Sequence, residues 1–83
     1  MSRLHLEIVS TNETLYNDFC YMAVLPLVSG CSGVMQNHSA FVSTLQEGEI
    51  IIYDSQNNII KTILVQSGFA QIENGQHLLV LIN

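Results

Sequence analysis

Residues 68–82 read GFAQIENGQHLLVLI, and this stretch decides the fold class. It holds two short apolar segments, 69–72 and 77–82, with Asn74-Gly75 between them. An Asn-Gly pair flanked by apolar segments is a strong signal for the tight turn of a β-hairpin, because both residues accept positive φ angles. The stretch therefore predicts two antiparallel strands.

The rest of the chain has the same character, with short apolar segments separated by polar or glycine-containing breaks. We predict further strands at 4–9, 15–28, 34–35, 41–45, 49–53 and 59–65, with the long apolar segment 15–28 divided by a bend near Asn17 and Asp18. Pro26 predicts an edge or an irregular position, because proline cannot donate to a ladder. Breaks are predicted at 10–14, 29–33, 47–48, 54–58 and 67–68. About nine short strands indicate an all-β, antiparallel sandwich formed by one domain, residues 1–83.

Composition narrows the possible partners. The chain has two basic residues, Arg3 and Lys61, against seven acidic ones, and its net charge is −5. Such a chain repels phosphate backbones and anionic membrane surfaces, so we expect no nucleic-acid binding and a basic protein partner instead. The N-terminus shows no signal or presequence pattern, which predicts that the chain stays where it is made. Cys20 and Cys31 are then expected to be free thiols.

Two predicted strands carry apolar residues on both faces. In 59–65, Ile60 and Leu64 alternate with Ile59, Ile63 and Val65, and 77–82 is apolar at nearly every position. An antiparallel sandwich normally presents polar residues to water on its outer face. Either a partner covers part of the outer surface, or these are central strands with tolerated exposed aliphatic side chains.

No arrangement of residues predicts catalysis. His5, His38 and His77 are far apart and lack the spacing of metal ligands. Glu47 and Glu49 flank a turn, where carboxylates are usually solvated. No nucleophile elbow or phosphate-binding glycine loop is present. We therefore predict no catalytic residue, no cofactor and no metal.

One rival interpretation is a lipoyl- or biotinyl-type carrier domain modified on Lys61, the only lysine. Such domains present the modified lysine at the tip of a tight hairpin. Here Lys61 follows the predicted 54–58 turn and lies inside a strand, where a lone lysine more often protects an edge.

The order of glycines and aliphatic residues resembles the N-terminal domain of the ATP synthase epsilon subunit, which is called delta in mitochondria. The resemblance covers nearly the whole chain. It is carried by Gly30, Gly33, Val34, His38, Phe41, Leu45, Gly48 and Ser67-Gly68-Phe69. Cys31, Gln36-Asn37 and Ala40 depart from the family pattern of Glu, Pro-Gly and Pro.

The resemblance implies a non-catalytic subunit of a proton-translocating rotary ATP synthase. It would sit at the foot of the central stalk on the cytoplasmic face of the bacterial inner membrane, touching the membrane only through the complex. The resemblance implies a c-ring contact through Gly30, Cys31, Ser32, Gly33 and His38, and a gamma-subunit contact through Leu79 and Leu81. Family members usually continue into a helical hairpin that can inhibit ATP hydrolysis. The sequence ends without one, so we expect assembly and coupling without restraint of ATP hydrolysis.

Overall fold

The computed structural model describes residues 3–83, and all regular structure in this range is β-strand. The nine strands are β1 (Leu4–Val9), β2 (Thr14–Cys20), β3 (Met22–Leu27), β4 (Gly30–Val34), β5 (Phe41–Leu45), β6 (Gly48–Ser55), β7 (Asn58–Val65), β8 (Gly68–Ile72) and β9 (His77–Ile82). The predicted number of strands and the hairpin around Asn74-Gly75 are confirmed. The first two residues of the domain predicted over 1–83 lie outside the described range. Within that range, no helix has the length and apolarity needed to cross a membrane.

The strands form one curled sheet in the order β2-β1-β9-β8-β5-β3-β6-β7, with β4 also paired to β3. A single pair, Leu27 with Leu45, links β3 to β5. The sheet folds back on itself at this link, so that its two halves face each other. Buried side chains from both halves form one hydrophobic cluster between them. The cluster is aliphatic apart from Cys20, and no buried residue in the described range is polar or charged. The predicted β-sandwich is therefore confirmed.

One pair of strands is parallel. The two strands β1 and β9 run side by side with Leu6 opposite Leu78 and Ile8 opposite Val80, whereas the other pairs are antiparallel. All four of these side chains are fully buried. Because side chains alternate across a strand, the intervening residues of both strands face outward.

The predicted bend near Asn17 and Asp18 is wrong. Strand β2 is continuous through both residues, and the chain breaks at Tyr21, whose N–H donates to the Tyr53 carbonyl at 2.8 Å. Strand β2 ends the sheet, and Asn17 and Asp18 are exposed on it. Their polarity reflects water on an edge strand, where charged side chains are favoured.

The loop predicted at 29–33 is also wrong, because residues 30–34 form β4. Val28 and Ser29 make a two-residue turn, and Gly30 begins the returning strand with a φ of +124°. The following loop covers residues 35–40. Pro26 lies where β3 stops pairing with β6, after Val24, and meets β5 at Leu27. This is the irregular position that proline predicts.

Candidate functional site

The outer side of β9 is apolar. Leu79 and Leu81 are half-buried and point outward, because they alternate with the buried Leu78, Val80 and Ile82. Strand β9 lies between β1 and β8, well inside the sheet. Water therefore reaches Leu79 and Leu81 only from the outer face.

Neighbouring strands extend this apolar surface around Leu81. Val9 lies opposite Leu81 on one side, and Phe69, which is 39% exposed, lies opposite it on the other. Ser67, Gly68 and Asn83 are among the other residues that line an open groove of about 640 Å³ beside them. We refer to Val9, Phe69, Leu79 and Leu81 as the outer β9 face. Sequence reasoning named only the two leucines, because the register that adds Val9 and Phe69 is not visible in the sequence.

Polar residues border the outer β9 face. Leu79 lies between Glu7 on β1 and Gln71 on β8, and Val42, which is 70% exposed, lies beyond Gln71 on β5. The Gln71 Nε2 donates to the Glu73 carboxylate at 2.7 Å. The surface is thus an apolar strip with a polar rim, which is typical of protein interfaces.

Three rings pack against one another at one end of this surface. His5 faces Phe19 at a centroid distance of 5.1 Å and His77 at 4.7 Å, and the two imidazole planes differ by only 13°. His77 Nε2 lies 3.4 Å from Glu7 Oε1. The sequence gives no sign of this pairing, because the two histidines come from opposite ends of the described chain. In residues 3–83, no three side chains among histidine, cysteine, aspartate and glutamate form a metal-binding group.

The other half of the sandwich also has an apolar outer side. Leu64, 77% exposed, lies opposite Glu49, and Ile60, 45% exposed, lies near the bulge between β6 and β7. Val65 is buried at the end of the same strand. The sequence observation of apolar residues on both faces of 59–65 therefore corresponds to exposed aliphatic side chains.

Lys61 lies within β7 and pairs with Ile52. Its Nζ donates to the Leu15 carbonyl at 3.3 Å, and the tip of this hairpin is formed by Gln56 and Asn57. A carrier domain needs its lysine at the tip, so nothing in this geometry supports the carrier interpretation.

The residues assigned to the c-ring contact do not form one loop. Gly30, Cys31, Ser32 and Gly33 lie in β4, and Cys31 is exposed there. A Cβ on Gly33 would lie 3.0 Å from Met22 Sδ, in a flexible side chain that can move aside. His38 lies in the following loop, where its ring packs edge-on to Phe41 at 5.1 Å and its Nδ1 is 2.8 Å from the Ser39 carbonyl. At about 3.3 Å per residue, Gly30 lies roughly 13 Å from Val34, the last residue of β4 before that loop.

Two groups have altered acidity. Burial raises the pKa of the Cys20 thiol to about 11. Burial also raises the pKa of the Tyr16 hydroxyl, with a further contribution from the negative charge that Cys20 would carry. Both shifts favour the neutral, protonated form of the side chain, so neither residue is an activated nucleophile or base.

Sequence comparison places the chain among known proteins. The family described as "ATP synthase, Delta/Epsilon chain, beta-sandwich domain" matches residues 3–83. An ATP synthase epsilon chain of Campylobacter concisus is 36% identical over 76 residues, which are 92% of this chain and 58% of the relative. One of Caulobacter vibrioides is 32% identical and is covered over 81% of its length. The chain thus spans less than two thirds of the Campylobacter relative.

Solved structures share the fold. A chain from the central stalk and c-ring of the Tetrahymena thermophila mitochondrial ATP synthase matches 95% of this chain and 62% of its own length, with a TM-score of 0.79 and 11% identity. A chain of the Euglena gracilis mitochondrial ATP synthase matches 99% of this chain and 51% of its own length, with a TM-score of 0.83 and 15% identity. With the sequence match over residues 3–83, these findings lead to one conclusion: the chain belongs to the family of ATP synthase delta/epsilon-chain beta-sandwich domains.

Proposed function

We propose that this chain is a non-catalytic central-stalk subunit of a proton-translocating rotary ATP synthase and couples the gamma subunit to the c-ring. Family membership over residues 3–83 supports this assignment, as do relatives named ATP synthase epsilon chain. The complex is membrane-associated, and the chain works at the cytoplasmic face of the bacterial inner membrane without touching lipid itself. It acts as one domain over residues 1–83 and needs no cofactor.

The observation that carries the proposal is the outer β9 face. Leu79 and Leu81 present aliphatic surface from a central strand, and Phe69 adds an exposed aromatic ring. Burying apolar surface contributes about 25 cal/mol per Å², and aromatic side chains are enriched at interface centres. We assign this face to the gamma subunit.

The c-ring contact is assigned to the other named residues. Gly30, Cys31, Ser32 and Gly33 present β4, a strand of small side chains that a partner backbone can approach closely. His38 contributes from the loop after β4. The net charge of −5 favours partner segments that carry Lys or Arg.

The gamma contact is tested by matched leucine-to-aspartate changes on the two outer faces. Leu81→Asp places a carboxylate in the centre of the outer β9 face, and Leu64→Asp places one on the opposite half of the sandwich. Each variant is co-expressed with the gamma subunit and purified through gamma. We expect Leu81→Asp to lose gamma and Leu64→Asp to retain it, because an unpaired buried charge opposes association strongly.

Thermal unfolding by circular dichroism accompanies the assay, because Leu81 is half-buried and its replacement affects stability. Phe69→Asp, at a more exposed position, serves as a second probe of the same face. If Leu64→Asp were the only variant to lose gamma, the gamma contact would lie on the half of the sandwich that carries Leu64. Retention of gamma by all three folded variants would contradict the use of either face.

A further inference from the structure

The outer β9 face has two ends of different chemistry. At one end, Leu81 lies between Val9 and Phe69, so the surface there is apolar. Leu79 precedes Leu81 by two positions on the same face and lies beside Glu7. Two positions along a strand correspond to about 6.6 Å. The apolar end and the acidic end are therefore separated along the direction of β9.

The acidic end has a cavity of about 280 Å³ beside Leu79. Glu73, Gln71 and His77 are among the residues that line it. Glu7 approaches from β1, with 3.4 Å between its Oε1 and His77 Nε2, whereas Glu73 follows β8. Because β1 and β8 are the two neighbours of β9, the carboxylates of Glu7 and Glu73 flank this strand.

The two basic residues of the chain are directed elsewhere. Arg3 Nη2 donates to the Asp54 carbonyl at 3.0 Å, and Lys61 Nζ donates to the Leu15 carbonyl at 3.3 Å. Asp54 lies on β6 and Leu15 on β2, and neither strand borders β9. Within residues 3–83, neither carboxylate at the acidic end forms an ion pair with lysine or arginine.

A partner has to approach this face with side chains. Strand β9 pairs with β1 on one side and with β8 on the other, so its backbone groups are engaged in the sheet. An extended partner segment laid on the face would find no backbone partners there, whereas an α-helix satisfies its own backbone internally. A helix packed on a sheet is also a common way to cover an apolar sheet face.

We propose that the outer β9 face accepts an amphipathic α-helix of the gamma subunit that lies along β9, with an aliphatic side chain over Leu81 and a Lys or Arg over Leu79. This inference rests on the proposed function and adds the chemistry and the orientation of the partner segment. Side chains at i and i+4 of a helix are about 6 Å apart along its axis, close to the roughly 6.6 Å between Leu81 and Leu79.

The two ends of the face have different roles in this contact. A long basic side chain packs its apolar stem on Leu79 while its charged group reaches the carboxylates of Glu7 and Glu73. Charges at the rim of an interface mainly raise the association rate, and they do so less at high salt. The apolar contact around Leu81 instead holds the complex together once it has formed.

The first test measures the rates of binding between the full 83-residue chain and the gamma subunit by surface plasmon resonance at several salt concentrations. We expect the double variant Glu7→Gln/Glu73→Gln to associate about three- to tenfold more slowly at low salt and to depend less on salt. Glu49→Gln is the matched control and should associate like the parent, because it removes a carboxylate opposite Leu64 on the other half of the sandwich. Circular dichroism checks that each variant is folded.

The second test compares the same substitution at the two ends of the face. Leu79→Asp places a carboxylate where the basic side chain is expected, so it should retain gamma. Leu81→Asp places one where the aliphatic side chain is expected, so it should lose gamma. The two leucines are both half-buried on one strand, which makes the comparison a matched one.

The proposal is overturned if the double variant associates like the parent, if Glu49→Gln slows association as much, or if Leu79→Asp loses gamma as completely as Leu81→Asp. Any of these results, together with loss of gamma in Leu81→Asp, would leave the gamma contact itself standing. A parent chain that does not bind gamma would contradict the proposed function as well.

Discussion

Gly68 faces the backbone of Leu81 so closely that a Cβ on residue 68 would lie 2.1 Å from the Leu81 carbonyl oxygen. The contacting atom is backbone, so rotation of a side chain cannot relieve the overlap. The φ angle of Gly68, +153°, adds strain for any other residue. We expect Gly68→Ala to lower the free energy of unfolding by about 2–4 kcal/mol, measured by urea titration.

Gly30→Ala is the control for this prediction. Its φ is also positive, +124°, but a Cβ there has no atom within 4 Å. We expect it to lower the free energy of unfolding by about 1–2 kcal/mol, from backbone strain alone. If the free energy of unfolding fell equally in the two variants, the close approach to Leu81 would contribute nothing to the loss.

The two cysteines should differ sharply toward a maleimide. Cys31 is exposed on β4, whereas Cys20 is fully buried and has a pKa raised to about 11. Thiolate is the reactive form, so the folded chain should take up one equivalent at neutral pH and a second only in denaturant. Intact mass after timed labelling measures both. Fast modification of Cys20 in the folded chain would contradict the buried position.

Alkaline pH should destabilise the fold through Cys20. Its pKa rises on folding from 9.0 to about 11, so the folded state holds the proton more tightly than the unfolded state. The stabilisation is complete below pH 9 and is lost as the pH rises toward 11. Tyr16, whose pKa is also raised from 10.0, acts in the same direction.

Unfolding by urea at several pH values between 8 and 11 measures this effect. The slope of stability against pH should be smaller in Cys20→Ala, even though that variant is less stable at every pH because of its cavity. The slope that remains belongs to Tyr16 and to groups common to both proteins. An unchanged slope would remove Cys20 from the explanation.

Asn37 adopts a left-handed conformation, with φ of 70°, and its N–H donates to the Gly75 carbonyl at 2.6 Å. Asn37→Gly keeps that hydrogen bond and accepts the conformation, so its stability should stay within about 0.5 kcal/mol of the parent. Asn37→Val should lose about 1–2 kcal/mol, because β-branched residues are strained at positive φ. Thermal unfolding compares the two. A valine variant as stable as the glycine variant would contradict the prediction.

Local chemistry predicts much of this fold. Asn74-Gly75 predicts its turn correctly because the signal lies in two adjacent residues. Pro26 predicts an irregular position because its missing N–H is also a local property. The loop predicted at 29–33 is wrong because small residues suit both a loop and a strand that has a single neighbour. The antiparallel pairing of residues 30–34 with β3 distinguishes the two, and that pairing is a tertiary contact.

The candidate surfaces also combine features that the sequence predicts with features that it does not. Alternation in a single strand predicts that Leu79 and Leu81 share one face, whereas the burial of the opposite face, which makes theirs the outer one, is known only from the structure. Their extension to Val9 and Phe69, and the stacking of His5 on His77, depend on which strands are neighbours. Strand order is decided by long-range packing of similar aliphatic side chains, for which sequence offers no local signal.

The parallel pairing of β1 with β9 has a kinetic consequence. A first hairpin of β1 and β2 is marginal in water until β9 arrives from the far end of the described chain to flank it. Closing so long a segment is entropically demanding, so folding should be slow for a domain of this size. Once formed, the pairing of β1 with β9 holds the first and last strands of the described chain together. A backbone cut at the Gln56–Asn57 hairpin tip would then leave two fragments still held as one particle.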